Sequence, residues 1–125
     1  MWKNVLFVGV GGFLGAICRY LIGLMMISIN KTPFPFGTFT VNILGSFLLG
    51  FLFTLALPDQ IAANRVKLLF GIGFCGSFTT FSTFMLENQQ LWTGEIKFQA
   101  VFYLISSLTI GIIALLLGMK LGEIL

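Results

Sequence analysis

Four long apolar stretches make up most of this chain, and each carries few enough charges to cross a lipid bilayer. A membrane-spanning helix needs about 20 apolar residues, so 125 residues accommodate four spans and no separate soluble domain. The residues are 58% hydrophobic and only 9% charged, which is more apolar surface than a soluble domain of this size can bury. The sequence therefore predicts an all-α membrane protein with a single four-span transmembrane domain over residues 1–125.

Turn-forming residues separate the four predicted spans. The first loop, Asn30–Gly37, contains two prolines and a glycine, and Pro58 stops the second span, because these residues interrupt helices. Asn64 is a candidate N-cap for the third span. The last loop is Trp92–Glu95, in which Trp92 suits the membrane interface. The predicted spans are about Asn4–Ile29, Thr38–Leu57, Arg65–Leu91 and Phe98–Leu121.

The basic residues divide only slightly unevenly between the two sides of the predicted bundle. With four spans, the N-terminus, the second loop and the C-terminus share one side. Lysine and arginine near the span ends set the orientation of a membrane protein. One side here has four of these residues and the other has two: Lys3, Arg65, Lys67 and Lys120 against Lys31 and Lys97. This small difference predicts a chain that can insert into the cell (inner) membrane in either orientation.

Glycines mark surfaces at which helices can approach closely. Contact at small residues drives helix packing in membranes, and packing within one bundle explains each single glycine. Four helices, however, form a bundle too thin to enclose both a packed core and a polar route, so a homodimer is expected. The glycines are Gly9, Gly11, Gly12, Gly15, Gly45, Gly50, Gly111, Gly118 and Gly122.

The reactive side chains argue against an enzyme. The chain has no histidine and only four acidic residues. Paired carboxylates, zinc triads and histidine-based nucleophile systems are thereby mostly excluded. The two cysteines, Cys18 and Cys75, fall within predicted spans and are expected to be buried free thiols.

The third span contains an unusually polar run, Gly76 to Phe84, with one glycine, five hydroxyl side chains and three phenylalanines. Glycine, β-branched and hydroxyl residues weaken a helix. In lipid, a weakened helix is tolerated only where its free backbone groups are buried in protein or line a wet cavity. The run therefore predicts a third helix that is broken near its middle and carries an ion site.

Two polar residues outside this run are also candidate site residues. Asn42 lies inside the second span, where its amide either holds helices together or contributes two donors to an ion site. Arg19 lies about 20 Å along the first helix. Its side chain either extends to the interface or places positive charge in a wet vestibule.

Phe81 and Phe84 are three residues apart and so share a helix face. Such a pair in a membrane helix usually faces lipid or packs in a core. The neighbours Thr80, Ser82 and Thr83 favour a different interpretation, because positive ring edges beside hydroxyl donors can hold a small anion without a full charge. Binding of that kind is weak enough to permit conduction.

Gly76 and Thr79 lie where the helix is expected to break. Their freed carbonyls can hold a cation, because unwound helix segments present backbone oxygens to ions in membrane proteins. Oxygen-only coordination suits a hard cation.

Three motifs on different spans carry a family resemblance: Gly11–Tyr20, Gly37–Gly45 and Gly71–Phe84. In that order they resemble the Fluc family of fluoride channels, also called CrcB, and the resemblance covers essentially the whole chain. Ser77-Phe78 is bulkier than the glycine-rich break expected in that family.

The resemblance implies a passive, fluoride-selective channel that exports cytoplasmic fluoride. It further implies an antiparallel, dual-topology homodimer with two fluoride pathways and a central structural sodium ion. Phe81 and Phe84 correspond to the family's pore phenylalanines, and Asn42 to its pore asparagine. Gly76 and Thr79 correspond to the positions whose carbonyls bind sodium. The residues near the family's polar positions on the fourth span are Tyr103, Ser106 and Ser107.

Two other functions stay open at this point. A proton-coupled exporter resembling the small multidrug resistance family would also have four spans, but it needs an acidic residue in the first span. Here that span has only Arg19, and the sole candidate acid is Glu87, near the end of the third. The other possibility is an accessory assembly subunit with no transport of its own.

Overall fold

The structure of the protein, a computed structural model, describes all residues 1–125. It is all-helical, and four of its helical segments are long and apolar enough to cross a membrane, which confirms the predicted four-span architecture. The connections are short, so consecutive spans run antiparallel. The elements are α1 (Trp2–Ile29), α2 (Phe36–Thr54), α3 (Gln60–Val66), a π-helical segment (Lys67–Cys75), α4 (Gly76–Phe78), α5 (Phe81–Thr93) and α6 (Lys97–Ile124).

The third span, Gln60–Thr93, is interrupted as predicted, but the position of the interruption differs in detail. The helix ends at Phe78 and resumes at Phe81. Gly76, which was expected at the break, is itself helical, with φ −62° and ψ −30°. Thr79 and Thr80 are the residues that leave the helix, because their hydroxyl groups compete with helical hydrogen bonds.

The π-helical segment was not predicted, and it packs unusually closely on α1. A Cβ atom added to Gly11 would overlap the Leu69 carbonyl, and one added to Gly73 would overlap the Val8 carbonyl. Ser77 adds a hydrogen bond from its Oγ to the Gly12 carbonyl at 2.6 Å. This contact explains why a serine is accommodated where a glycine-rich break was expected.

Helices α2 and α6 form the most extensive helix pair of the chain. A side chain on Gly118 would overlap the Phe47 carbonyl, and one on Gly50 would overlap the Leu115 carbonyl. The Thr54 Oγ1 donates to the Met119 carbonyl at 2.7 Å across the same interface. The glycines therefore allow backbone contact, as small residues do in membrane bundles.

Three predicted boundaries were wrong. The third span is capped by Asp59 rather than Asn64, because the Asp59 carboxylate accepts the N–H groups of Ile61 at 3.0 Å and Ala62 at 3.3 Å. Aspartate caps helices as well as asparagine does. The second span ends at Thr54 instead of Leu57, because Pro58 has no N–H to donate to the Thr54 carbonyl four residues earlier and its ring would clash with that carbonyl in a helix. At the other end of the third span, α5 continues through Trp92 to Thr93.

Most of the apolar surface of the chain is uncovered. Only 17 of 125 residues are buried, and the largest fully buried side chains are Tyr103 and Val41. Cys75 is buried and Cys18 is half-buried, both as free thiols. The surface that remains has to be covered by lipid or by another protein chain.

Candidate functional site

The helix break consists of two extended residues, Thr79 and Thr80. Thr79 has φ −85° and ψ 159°, and Thr80 has φ −150° and ψ 123°, both in the ordinary β region. The Thr79 N–H still donates to the Cys75 carbonyl at 3.1 Å, and its hydroxyl donates to the same carbonyl at 2.8 Å. The hydrogen-bond ladder of the first half therefore stops at Thr79.

Asn42 of α2 supplies the hydrogen bonds that the break removes from Thr80. The Thr80 N–H donates to Asn42 Oδ1 at 2.8 Å, and Asn42 Nδ2 donates to the Thr80 carbonyl at 3.1 Å. In an unbroken helix the Thr80 N–H would instead donate to the Gly76 carbonyl. A primary amide has two donors, and one of those on Asn42 has no partner within the chain. Asn42 therefore joins two helices and keeps a donor for another acceptor.

Thr80 also begins α5, the second half of the span. Its hydroxyl accepts the Thr83 N–H at 3.3 Å and donates to Thr83 Oγ1 at 3.1 Å, which is an N-cap arrangement. Ser82 Oγ lies 3.4 Å from Thr80 Oγ1. The three hydroxyl groups predicted near the ion thus form one local network, in which the Thr83 hydroxyl keeps its own proton for a further acceptor.

A surface cavity of about 380 Å³ opens beside the break. Gly76 faces open space there, since nothing beyond its own helical turn and chain neighbours lies within 4 Å of the position that a Cβ would occupy. Ser82 and Thr83 do not line this cavity. The predicted site residues that do line it are Asn42, Gly76, Thr79, Thr80, Phe81 and Phe84.

Phe81 and Phe84 contact each other but differ sharply in burial. Their ring centroids are 6.2 Å apart, yet Phe84 is 5% exposed and Phe81 is 74% exposed. The Phe84 ring also packs edge-to-face on Tyr103, with a centroid distance of 4.9 Å. Phe81 therefore projects away from the rest of the chain, toward lipid or another protein.

Glu87, which the sequence offered only as the candidate acid of a proton-coupled exporter, is the centre of a hydrogen-bonded cluster beyond Phe84. Glu87 Oε1 accepts from Thr38 Oγ1 at 2.7 Å, and its Oε2 accepts from the Tyr103 hydroxyl at 2.8 Å. Thr38 and Tyr103 are both buried. Thr38 precedes Asn42 by four residues and Glu87 follows Phe84 by three, so each shares a helix face with a predicted site residue. That spacing is the signal by which the cluster could have been found.

Arg19 lines a separate groove of about 400 Å³ between α1 and α2. The groove shares Thr80 with the cavity beside the break, and it also reaches Thr38 and Thr83. No acidic residue lines it. A positive charge therefore lies at one approach to the break without a carboxylate in the same groove.

The α6 serines lie outside both the cavity and the groove. Ser106 Oγ donates to the Tyr103 carbonyl of its own helix at 3.3 Å. Ser107 Oγ is buried and has no hydrogen-bond partner. Of the three predicted positions on α6, Tyr103 is the one that packs on a predicted pore phenylalanine, Phe84, and hydrogen-bonds to Glu87.

Together, these features define a small multi-pass membrane protein whose broken third span carries a polar and aromatic site. The sequence profile of the family described as "CrcB-like protein, Camphor Resistance (CrcB)" matches residues 6–119, and the chain belongs to this family.

Its relatives include proteins named fluoride-specific ion channel FluC. The chain is 48% identical to the one from Chlorobium chlorochromatii over 115 residues, which cover 92% of this chain and 88% of the relative. It is 45% identical to the one from Chlorobaculum tepidum over 122 residues, which cover 98% and 96%. It is 41% identical to the one from Azobacteroides pseudotrichonymphae over 123 residues, which cover 98% of both chains.

Proposed function

We propose that the protein is a passive fluoride-selective channel that lets cytoplasmic fluoride leave the cell. Its relatives over nearly the full chain are named fluoride-specific ion channels. The structural observation that carries the proposal is the free Asn42 donor beside two phenyl rings, in a cavity next to a helix break. These groups offer positive ring edges and hydrogen-bond donors. The cavity is lined by no lysine or arginine, so no fixed positive charge there would trap the ion.

The proposed pathway replaces the water around fluoride with donors from the protein. Fluoride is small and strongly hydrated, so an unreplaced hydration shell would make entry costly. The second N–H of Asn42, at the cavity, and the hydroxyl of Thr83, at the Arg19 groove, are donors with no other acceptor in the chain. The edges of Phe81 and Phe84 add a weak positive potential, which favours binding without trapping. The Arg19 groove supplies positive potential at an approach to these groups.

An antiparallel homodimer, in which both orientations insert, completes this site. Phe81 is 74% exposed on a single protomer, so a second chain is needed if its ring is to form part of an enclosed path. Gly76 and the cavity beside it are open in the same way. The small difference in basic residues between the two sides permits both orientations.

A structural sodium ion at the centre of that dimer is consistent with the break. The Thr80 N–H is taken by Asn42, which leaves the Gly76 carbonyl without its usual helical donor. Gly76 and Thr79 from two copies would provide four carbonyl oxygens, and such oxygens suit a hard cation. The ion would offset the cost of burying those carbonyls unpaired. It is proposed to be held in place and not transported.

Passive export suffices for the proposed role. Fluoride enters cells as neutral HF and dissociates, so the membrane potential drives the anion outward. A potential of about 100 mV contributes roughly 2.3 kcal/mol per charge, which corresponds to about a fortyfold concentration ratio.

Efflux from liposomes that contain only the purified chain tests the proposal. Fluoride should leave rapidly when an electrical shunt is provided, chloride should leave far more slowly, and a proton gradient should have no effect. Flux that requires a proton gradient would support the exporter instead. An absence of flux for any small anion would support an accessory subunit.

A further inference from the structure

The α1–α2 loop packs a phenylalanine against the tyrosine that binds Glu87. The rings of Phe34 and Tyr103 meet edge-to-face, with a centroid distance of 5.2 Å and an interplanar angle of 74°. Phe84 contacts the same tyrosine at 4.9 Å. Tyr103 has no exposed surface and its hydroxyl is on Glu87. Its ring is therefore held between the loop and the predicted pore.

The loop is built to keep Phe34 in one place. Prolines flank it at positions 33 and 35, and a proline fixes its own φ and restricts the residue before it. Pro35 has φ −81° and ψ 69°, the values of an inverse γ-turn. The Phe36 N–H closes that turn on the Phe34 carbonyl at 2.9 Å. Phe34 is thereby fixed relative to the first turn of α2.

The first turn of α2 and the fixed Phe34 ring together position the two side chains that hold the Glu87 carboxylate. Thr38, in the first turn of α2, donates to Glu87 Oε1, and Tyr103, held by Phe34, donates to Oε2. A cavity of about 170 Å³ on the loop side is lined by Phe34, Thr38 and Glu87 and adjoins the Arg19 groove at Thr38, so a released carboxylate has room to rotate toward that approach. A negative charge turned toward the anion path would repel the anion.

We propose that Phe34 is a positioning residue for conduction. Its ring keeps the Tyr103 hydroxyl on Glu87, and this keeps the carboxylate turned away from the anion path. The inference rests on the proposed fluoride channel, and it assigns a role in that channel to a residue outside the membrane-spanning helices.

The test measures fluoride efflux from liposomes for the parent chain and for Phe34→Ala, Phe34→Tyr and Phe98→Ala. Phe98 is a control for the outer end of the same ring cluster, because it is 73% exposed and reaches Phe34 only through Phe102. Loss of one edge-to-face ring contact changes the ratio of chains with and without the Tyr103 hydroxyl on Glu87 by a factor of about two to ten. Phe34→Ala should therefore lose flux by a factor in that range. Phe34→Tyr should recover most of it, and Phe98→Ala should match the parent.

A double-mutant comparison separates positioning from packing. In a Tyr103→Phe background the hydroxyl that Phe34 positions is gone, so adding Phe34→Ala should lower flux less than about twofold further. An equally large loss in both backgrounds would overturn the proposal. If Phe34→Ala does not fold, Pro35→Ala is the second variant, because it keeps every aromatic ring and loosens the turn. Unchanged flux in Pro35→Ala would also overturn the proposal. A parent chain that conducts no fluoride would overturn the channel function itself, which is a distinguishable result.

Discussion

Asn42 and Thr80 exchange two hydrogen bonds across the helix break, so that a side-chain amide of α2 takes the place of a missing backbone turn. The same amide has a second N–H that donates to no acceptor within the chain. A single residue therefore stabilises the break and contributes to the proposed ion site, and its substitutions should change both stability and transport.

Replacing Asn42 with aspartate should affect both properties at once. The new oxygen would face the Thr80 carbonyl where a donor stood, at a cost of about 1–3 kcal/mol for the unpaired acceptor, and its charge would repel fluoride. We expect a lower thermal stability in detergent and the loss of most fluoride efflux. Asn64→Asp is the control, because Asn64 is exposed on α3, and it should leave both measurements unchanged. Parental flux from Asn42→Asp would contradict the role of this amide.

Isoleucine at Phe81 or at Phe84 should abolish most fluoride flux. The substitution keeps an apolar side chain of similar bulk but removes the positive ring edge. Phe84→Ile should also lose some stability, because it removes an edge-to-face contact with Tyr103 worth about 0.5–1.5 kcal/mol. Efflux and thermal unfolding measure the two effects, with Phe53→Ile as the exposed control on α2. If both variants conduct like the parent, the two rings only pack.

The chain should insert in both orientations in roughly equal numbers. The N- and C-termini lie on the same side of a four-span chain, so cysteines introduced at Trp2 or Leu125 should be labelled on both faces of intact cells. The background for this experiment is Cys18→Ser and Cys75→Ser, which removes the two native thiols. Labelling from one face alone would exclude the antiparallel dimer.

Sodium should stabilise the dimer without crossing the membrane. A ligand that binds only the folded state raises stability by about 2.7 kcal/mol at a hundred times its dissociation constant. The unfolding temperature in detergent should therefore rise with sodium and not with a bulky organic cation at equal ionic strength. Radioactive sodium should not enter proteoliposomes that conduct fluoride. An unfolding temperature indifferent to sodium would remove the support for a bound ion.

The four spans and the broken third helix were predictable because both depend on local composition. Apolar length decides whether a segment can cross a bilayer, and the hydroxyl-rich run around Thr79 weakens its own helix. The exact break was not predictable, because it depends on Asn42, which is 38 residues away from Thr80. Glycine is a poorer helix former than threonine, yet Gly76 continues the helix.

The Glu87 cluster and the π-helical segment depend on contacts between distant parts of the chain. Glu87 meets Thr38 across a separation of 49 residues, so the sequence shows an acid within a span but not the partners that hold it. The π-helical segment packs on the glycines of α1, and no local pattern specifies its hydrogen bonding. On α6, the Ser106 hydroxyl donates to the Tyr103 carbonyl of its own helix, and its role beside the ion stays a prediction.

The two-residue interruption at Thr79 and Thr80 also has an electrostatic consequence. It turns one span into two helices placed end to end, so that the C-terminus of the first faces the N-terminus of the second. A helix carries a partial charge of about −0.5 at its C-terminus and about +0.5 at its N-terminus. A segment without a single charged side chain therefore presents opposite polarities two residues apart, and it can attract a cation on one side of the break and an anion on the other.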